Sequence, residues 1–181
     1  MAILAGLERL HILVVDDNPH MRAIVIAILR SAGFSEIKEA GDGAQALEEM
    51  RLGVVDIVLV DLNMSPIDGL EFTKMMRTAP DSVNPYIPII MMTGHTERRK
   101  VLEARDVGVN EFVAKPISAK TLLERFIAVI DRPRSFVKAK NYQGPCRRRD
   151  RATSFGGPWQ RRGDPKSSPN NVDDDASKES S

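Results

Sequence analysis

Five residues of this chain have side chains suited to a charged, metal-assisted reaction centre. They are the adjacent carboxylates Asp16 and Asp17, a third carboxylate at Asp61, the hydroxyl of Thr93 and the ammonium of Lys115. Three carboxylates gathered in one pocket would repel each other unless neutralised. A lysine offsets one charge, and a hard divalent cation is the natural partner for the rest. Mg²⁺ suits such a set, because it takes one or two carboxylates, keeps waters and accepts a phosphoryl oxygen as a further ligand. A carboxylate, a metal, a cationic donor and a hydroxyl together match what phosphoryl transfer needs: a nucleophile, charge neutralisation and donors to the equatorial oxygens. Taken singly, each residue has a plainer reading: a helix cap, a β-former, a surface charge. Their joint occurrence at the ends of successive apolar runs carries the chemistry.

Those runs are what must position them. Ile57 to Val60 is short, unbroken and rich in β-branched residues, as expected of a strand buried on both faces, and it ends in Asp61. His11-Ile12-Leu13-Val14-Val15 ends in Asp16-Asp17, Ile89-Ile90-Met91-Met92 in Thr93-Gly94, and Glu111-Phe112-Val113-Ala114 in Lys115-Pro116. A weaker strand spans Glu36 to Ala40. Between them lie helical patterns with local start signals. Asn18-Pro19 opens a helix to about Ala32, with Met21, Ile24, Val25, Ile28 and Leu29 as its apolar face and Gly33 as its stop. Asp42-Gly43 leads into Ala44 to Arg51 with Ala44, Leu47 and Met50 inward. Asp68-Gly69 leads into a helix carrying Leu70, Phe72, Met75 and Met76. A charged helix with Val101 and Leu102 inward ends near Gly108, and Ser118 caps a last one with Leu122, Leu123, Phe126, Ile127 and Ile130. Strands alternating with helices over short connections specify a parallel sheet with right-handed crossovers and helices on both faces. Parallel strands share one carboxyl edge, where open α/β sheets hold their ligands.

The chain has 181 residues, enough for one domain and an extension, with 42% hydrophobic and 28% charged residues. Its single cysteine, Cys146, excludes an internal disulfide framework and fits a reducing compartment. There is no apolar run of transmembrane length and no signal-peptide pattern, so the expected location is cytoplasmic without membrane insertion. Residues 1–131 carry 14 Lys and Arg against 19 Asp and Glu, a net −5, whereas residues 132–181 carry +6. An acidic body thus precedes a basic tail.

The segments Val14-Val15-Asp16-Asp17, Asp61-Leu62-Asn63-Met64 with Asp68-Gly69-Leu70, Met92-Thr93-Gly94 and Phe112-Val113-Ala114-Lys115-Pro116 resemble those of the receiver domain of two-component response regulators, of the chemotaxis CheY type. The resemblance covers roughly residues 9–131, after a lead-in of residues 1–8. It implies a flavodoxin-like (βα)5 doubly wound parallel sheet of strand order 2-1-3-4-5, with Asp61 the phosphoacceptor. It further implies that Asp17, Asp61 and the backbone carbonyl of Asn63 bind Mg²⁺, with Asp16 acting through water. Lys115 would contact the phosphoryl group, the Thr93 hydroxyl would swing towards it, and Phe112 occupies the aromatic switch position. The Lys115–Pro116 bond would be cis. The implied partners are a sensor histidine kinase or histidine phosphotransfer protein upstream and a protein target downstream. The chain would then be a stand-alone response regulator that catalyses only its own phosphorylation and dephosphorylation. Two positions depart from the pattern: Ser65 stands where many members have proline, with Pro66 next, and Phe112 lacks the hydroxyl of the more usual tyrosine. His95, two residues after Thr93, either tunes water attack on a phosphoaspartate or is a solvated residue at a helix start. His11 and His20 read as strand start and helix surface.

Residues 132–181 contain Arg147-Arg148-Arg149-Asp150-Arg151, Gly156-Gly157-Pro158-Trp159, Arg161-Arg162 and an Asp/Ser-rich end, without helical periodicity. The expectation is a basic, largely disordered tail, with Ser135-Phe136-Val137 as a short ordered piece docked on the domain. The Arg clusters offer an alternative function, a nucleic-acid-associated regulator, although no helix-turn-helix pattern accompanies them. Cys146 beside them reads either as a thiol of lowered pKa or as incidental. An aspartate-dependent phosphatase is the enzymatic alternative, but Asp16-Asp17-Asn18-Pro19 lacks the Asp-x-Asp that such enzymes carry after the first strand.

Overall fold

The computed structural model describes residues 9–94, 98–139 and 142–146. Strands β1 (Ile12–Val15), β2 (Ile37–Ala40), β3 (Ile57–Asp61), β4 (Ile89–Thr93) and β5 (Glu111–Ala114) form one sheet in the order β2-β1-β3-β4-β5. All its pairings are parallel. Helices α1 (Pro19–Ser31), α2 (Gly43–Leu52), α3 (Gly69–Thr78), α4 (Arg98–Val107) and α5 (Ala119–Asp131) make the crossovers. This is the flavodoxin-like order expected from the sequence. None of the described helices is long and apolar enough to cross a membrane.

The unbroken apolar runs are explained by a core on each face of the sheet. Leu13, Val15, Val58, Val60, Ile89 and Met91 face Ala46, Met50, Phe72, Met76 and Ala104 of α2, α3 and α4. Their neighbours Ile12, Val14, Ile57, Leu59, Ile90 and Met92 face Val25, Ile26 and Leu29 of α1 and Leu122, Phe126 and Val129 of α5. Side chains alternate along a strand, so both parities must be apolar when both faces are covered.

The helix starts are set locally. The Asn18 side chain accepts from the amides of His20 and Met21, Asp42 from Ala44 and Gln45, Asp68 from Glu71, and Ser118 from Thr121. Each cap satisfies amides that have no partner within the helix. The inward faces differ in detail from the periodicity reading. Ile24, Met75 and Leu102 are exposed, as is Ala44. Ile26, Ala46 and Ala104 point in instead. A helix lying on a flat sheet buries only a narrow stripe, such as 25, 26 and 29, and the crossing geometry chooses which one.

Past Asp131, where composition suggests loss of regular structure, the chain forms an antiparallel hairpin of β6 (Phe136–Ala139) and β7 (Tyr142–Pro145), with Phe136 opposite Pro145 and Ala139 opposite Tyr142. The Arg-rich segment 147–151, the remaining tail, residues 1–8 and His95 lie outside the described residues. The hairpin packs on α3 and α4 beside Arg77, whose side chain is only 1% exposed. Arg77 donates Nε to the Gly108 carbonyl at 3.1 Å, Nη1 to the Pro85 carbonyl at 2.8 Å and Nη2 to Asn110 Oδ1 at 3.0 Å. The Phe136 ring lies 5.2 Å from its guanidinium carbon. Burial lowers its pKa to about 9, opposed by Tyr142, so it stays cationic at neutral pH.

Replacing this arginine by an apolar residue would take the guanidinium donors from the buried Gly108 carbonyl and the partly buried Pro85 carbonyl, while Asn110 Oδ1 keeps the Ile89 amide. We expect Arg77→Leu to lower unfolding stability by about 2–4 kcal/mol. Urea denaturation would measure it, and a loss below about 1 kcal/mol would show that these contacts hold little of the fold together.

Candidate functional site

Sheet register alone brings the candidate residues together. Val15 pairs with Val60, so Asp16 emerges from β1 beside Asp61, the last residue of β3. Thr93 ends β4 opposite Ala114, and Lys115 follows at once, its amide donating to the Thr93 carbonyl at 2.8 Å. Asp16 and Asp61 are buried while Asp17 is exposed, and one carboxylate oxygen from each can be chosen so that all lie within 4.8 Å of one another. The cluster therefore has a sealed floor and one carboxylate open to solvent.

Glycines permit the close approaches behind it. Asp68 caps α3, and Gly69 donates its amide to the Leu62 carbonyl at 3.1 Å. A Cβ at Gly69 would overlap the Asp61 carbonyl, so only glycine lets α3 start this near the end of β3. Gly43 likewise presses on Ile67, where a Cβ would come within 2.8 Å of the Ile67 carbonyl oxygen. The loop from Leu62 to Asp68 is thus held between the starts of α2 and α3. Asn63 is exposed in that loop, and Met64 beside it is buried. Both Ser65–Pro66 and Lys115–Pro116 are cis, the second as the family resemblance implies.

Lys115 Nζ lies 2.9 Å from Asp16 Oδ2 and 2.8 Å from Asp61 Oδ1. The other Asp16 oxygen accepts from the Asn18 amide at 2.8 Å. Asp16 therefore has a partner on each oxygen as well as being sealed from solvent. Burial raises the Asp61 pKa, and the Asp16 charge adds to that; Lys115 and the Leu62 amide oppose it. For Lys115, burial pulls the pKa down, but the hydrogen bonds and charges of Asp61 and Asp16 outweigh it and leave it raised, so the group is an ammonium at neutral pH. The Thr93 hydroxyl is buried at the same edge and donates to the Gly94 carbonyl at 3.3 Å. Phe112 is half-buried on β5 against the α2–α4 core.

One neighbour escaped sequence reasoning. Arg22 Nη1 donates to the Asp16 carbonyl at 2.6 Å while its Nε reaches Glu39 at 3.3 Å. Its signal was available: it lies one turn beyond the Asn18 cap, on the helix that leaves the acidic pair. The donor set of three carboxylates is hard throughout and fits a small divalent cation better than a soft metal.

Residues 12–127 match the family model for the response regulator receiver domain. The chemotaxis protein CheY-3 of Vibrio cholerae serotype O1 is 36% identical over 125 residues, which are 69% of this chain and 95% of that protein. Among solved structures, a putative response regulator from Chloroflexus aurantiacus superposes with a TM-score of 0.63 at 26% identity, over 68% of this chain and all of that one. The receiver domain of a sensor histidine kinase from Pseudomonas aeruginosa, solved with a magnesium ion coordinated in its active site cleft, gives a TM-score of 0.57 at 28% identity over 66% of this chain and 94% of that one.

The raised Asp61 pKa has a measurable consequence. The folded chain holds the Asp61 proton more tightly than the unfolded chain, so the ionised group costs stability at neutral pH. That cost is removed as pH falls through the window between the folded and the ordinary value. Asn in its place relieves burial and the Asp16 repulsion, while Lys115 keeps Asp16 as partner. We expect metal-free Asp61→Asn to melt about 2–6 °C above wild type at pH 7, with the gap closing below that window. Calorimetry showing the mutant at or below wild type at pH 7 would mean that the Lys115 pair outweighs burial.

Proposed function

The chain belongs to the response regulator receiver domain family, the phosphoacceptor switches of two-component signalling, and we propose that it accepts its phosphoryl group on Asp61. The observation that carries this reading is the position of the Asp61 carboxylate: it ends a central strand, 2.8 Å from the Lys115 ammonium and grouped with Asp16 and Asp17. An Asp61 oxygen attacks phosphorus, the bond from phosphorus to the donor's imidazole nitrogen breaks, and its electron pair leaves with that nitrogen. The donor is a sensor histidine kinase or a histidine phosphotransfer protein. Lys115 shifts from Asp61 Oδ1 to a phosphoryl oxygen, and the Thr93 hydroxyl turns from Gly94 to another.

Asp17, Asp61 and the Asn63 backbone carbonyl would hold Mg²⁺, with Asp16 acting through water. The ion, when bound, neutralises carboxylate and phosphoryl charge together. The solvent exposure of Asp17 and the two engaged oxygens of Asp16 support this division. As Thr93 moves inward, Phe112 follows into the space behind it. The surface of α4, β5 and α5 changes, and a protein target reads that change. The protein catalyses only its own phosphorylation and hydrolysis, and it acts in the cytoplasm.

Incubation with acetyl phosphate and Mg²⁺ should add a single phosphoryl group to wild type and none to Asp61→Asn, as read by intact-mass spectrometry. Equal labelling of the mutant would sink the assignment. In a Mg²⁺ titration, Asp17→Ala should lose about tenfold or more in affinity and Asp16→Asn distinctly less. The reverse order would exchange the two roles.

A further inference from the structure

The turn Gly108–Asn110 joins α4 to β5, whose second residue is Phe112. It is held from both sides. On the inner side, Arg77 of α3 donates to the Gly108 carbonyl and to Asn110 Oδ1, and Asn110 exchanges hydrogen bonds with Ile89 at the start of β4: its Oδ1 accepts from the Ile89 amide and its amide donates to the Ile89 carbonyl, both at 2.9 Å. On the outer side, Arg134, Phe136 and Gly144 supply the contacts. Arg134 Nη2 lies 2.9 Å from Oε1 of Glu111, the first residue of β5, and that carboxylate is nearly buried. Gly144 of β7 meets Gly108 backbone to backbone, where a Cβ would come within 2.8 Å of the Gly108 Cα. Gly108 has φ +102°, which a residue with a side chain adopts only under strain. Phe136 of β6 stacks under Arg77 and edge-on to Tyr86 at 4.8 Å. The hairpin is itself closed by the Cys146 amide donating to the Ser135 carbonyl at 2.7 Å and by the Tyr142 hydroxyl donating to Pro145 at 2.6 Å.

We propose that Arg134 and the hairpin strands β6 and β7 form an intramolecular clamp on the α4–β5 turn, and that their docking opposes phosphorylation of the site at the other end of the sheet. The proposal rests on the reading of Asp61 as phosphoacceptor. The docked hairpin fits a conformation in which Lys115 bridges Asp16 and Asp61 and the Thr93 hydroxyl faces Gly94. New partners for Lys115 and Thr93 pull on the ends of β5 and β4. β5 is only four residues long, and its first residue is tied to Arg134. Two glycine backbones in contact leave no side chain to absorb a shift, so movement of α4 or β5 must loosen the hairpin. By linkage, whatever draws the extension away raises affinity for the phosphoryl group by the same factor.

The test uses the full chain, with beryllofluoride and Mg²⁺ as the phosphoryl probe, titrated calorimetrically. Hydrogen exchange is followed at residues 142–145 and 108–112. Gly144→Val drives a side chain into the Gly108 backbone, and Arg134→Gln loosens the tie to Glu111; neither residue lies near Asp61. Gly144→Val should speed exchange in both segments and bind beryllofluoride about fivefold more tightly or better, the low end of usual coupling. Arg134→Gln should move both readouts the same way by a smaller factor. Freed hairpin amides with unchanged or weakened affinity overturn the clamp, and so does a Gly144→Val hairpin that stays as protected as wild type. A wild-type chain that takes up no beryllofluoride fails the phosphoacceptor reading itself, whereas equal affinity in wild type and both variants sinks the clamp alone.

Discussion

The ammonium of Lys115 lies between the carboxylates of Asp16 and Asp61, and the carboxyl edge of the sheet depends on that arrangement. Two carboxylates buried side by side repel each other with little water to screen them, and a cation between them offsets that repulsion. The shared lysine leaves Asp61 with a raised pKa but keeps the pair in place. It also gives the edge a cation that can change partners, since one Nζ serves two acceptors. Asp17, facing solvent beside this sealed pair, supplies the accessible oxygen that a hydrated cation would need.

The parallel sheet and close backbone approaches bring the groups of that edge together. Register places Asp16 next to Asp61 and Lys115 next to Thr93 without any long-range specificity beyond strand pairing. Gly69 and Gly43 then bring the starts of α3 and α2 against the loop after Asp61. A methyl group at either position would push that loop away from the cluster, so the absence of a side chain there is as much part of the site as the charges are.

The opposite end of the sheet holds a second buried charge, solved differently. Among the described residues, Arg77 has no carboxylate as a hydrogen-bond partner; two carbonyls, an amide oxygen and the Phe136 ring receive it. A planar guanidinium suits such a setting, because its donors point in fixed directions and its face can stack. The same residue ties α3 to the α4–β5 turn and to the hairpin, which makes the hairpin part of the fold at this end.

Much of this was legible in the residues themselves. Caps at Asn18 and Ser118, breakers after each strand, and apolar runs of both parities are local signals, and they suffice for a parallel sheet of five strands alternating with five helices and for the positions of Asp16, Asp17, Asp61, Thr93 and Lys115 at one edge, whereas the strand order follows only from the family resemblance. Local patterns could not tell which stripe of α1 faces inward, since Ile24 and Ile26 are equally apolar and only the angle of packing on the sheet separates them. Nor could they reveal the hairpin at Phe136–Pro145, whose partners Arg77, Tyr86 and Gly108 lie tens of residues away, in a segment too polar to signal burial. What the chain determines by itself is each element and the residue at its end. Which charges become buried, and which cation two carboxylates share, is decided by contacts distant in sequence, because the free energy of a charge depends on what surrounds it in space.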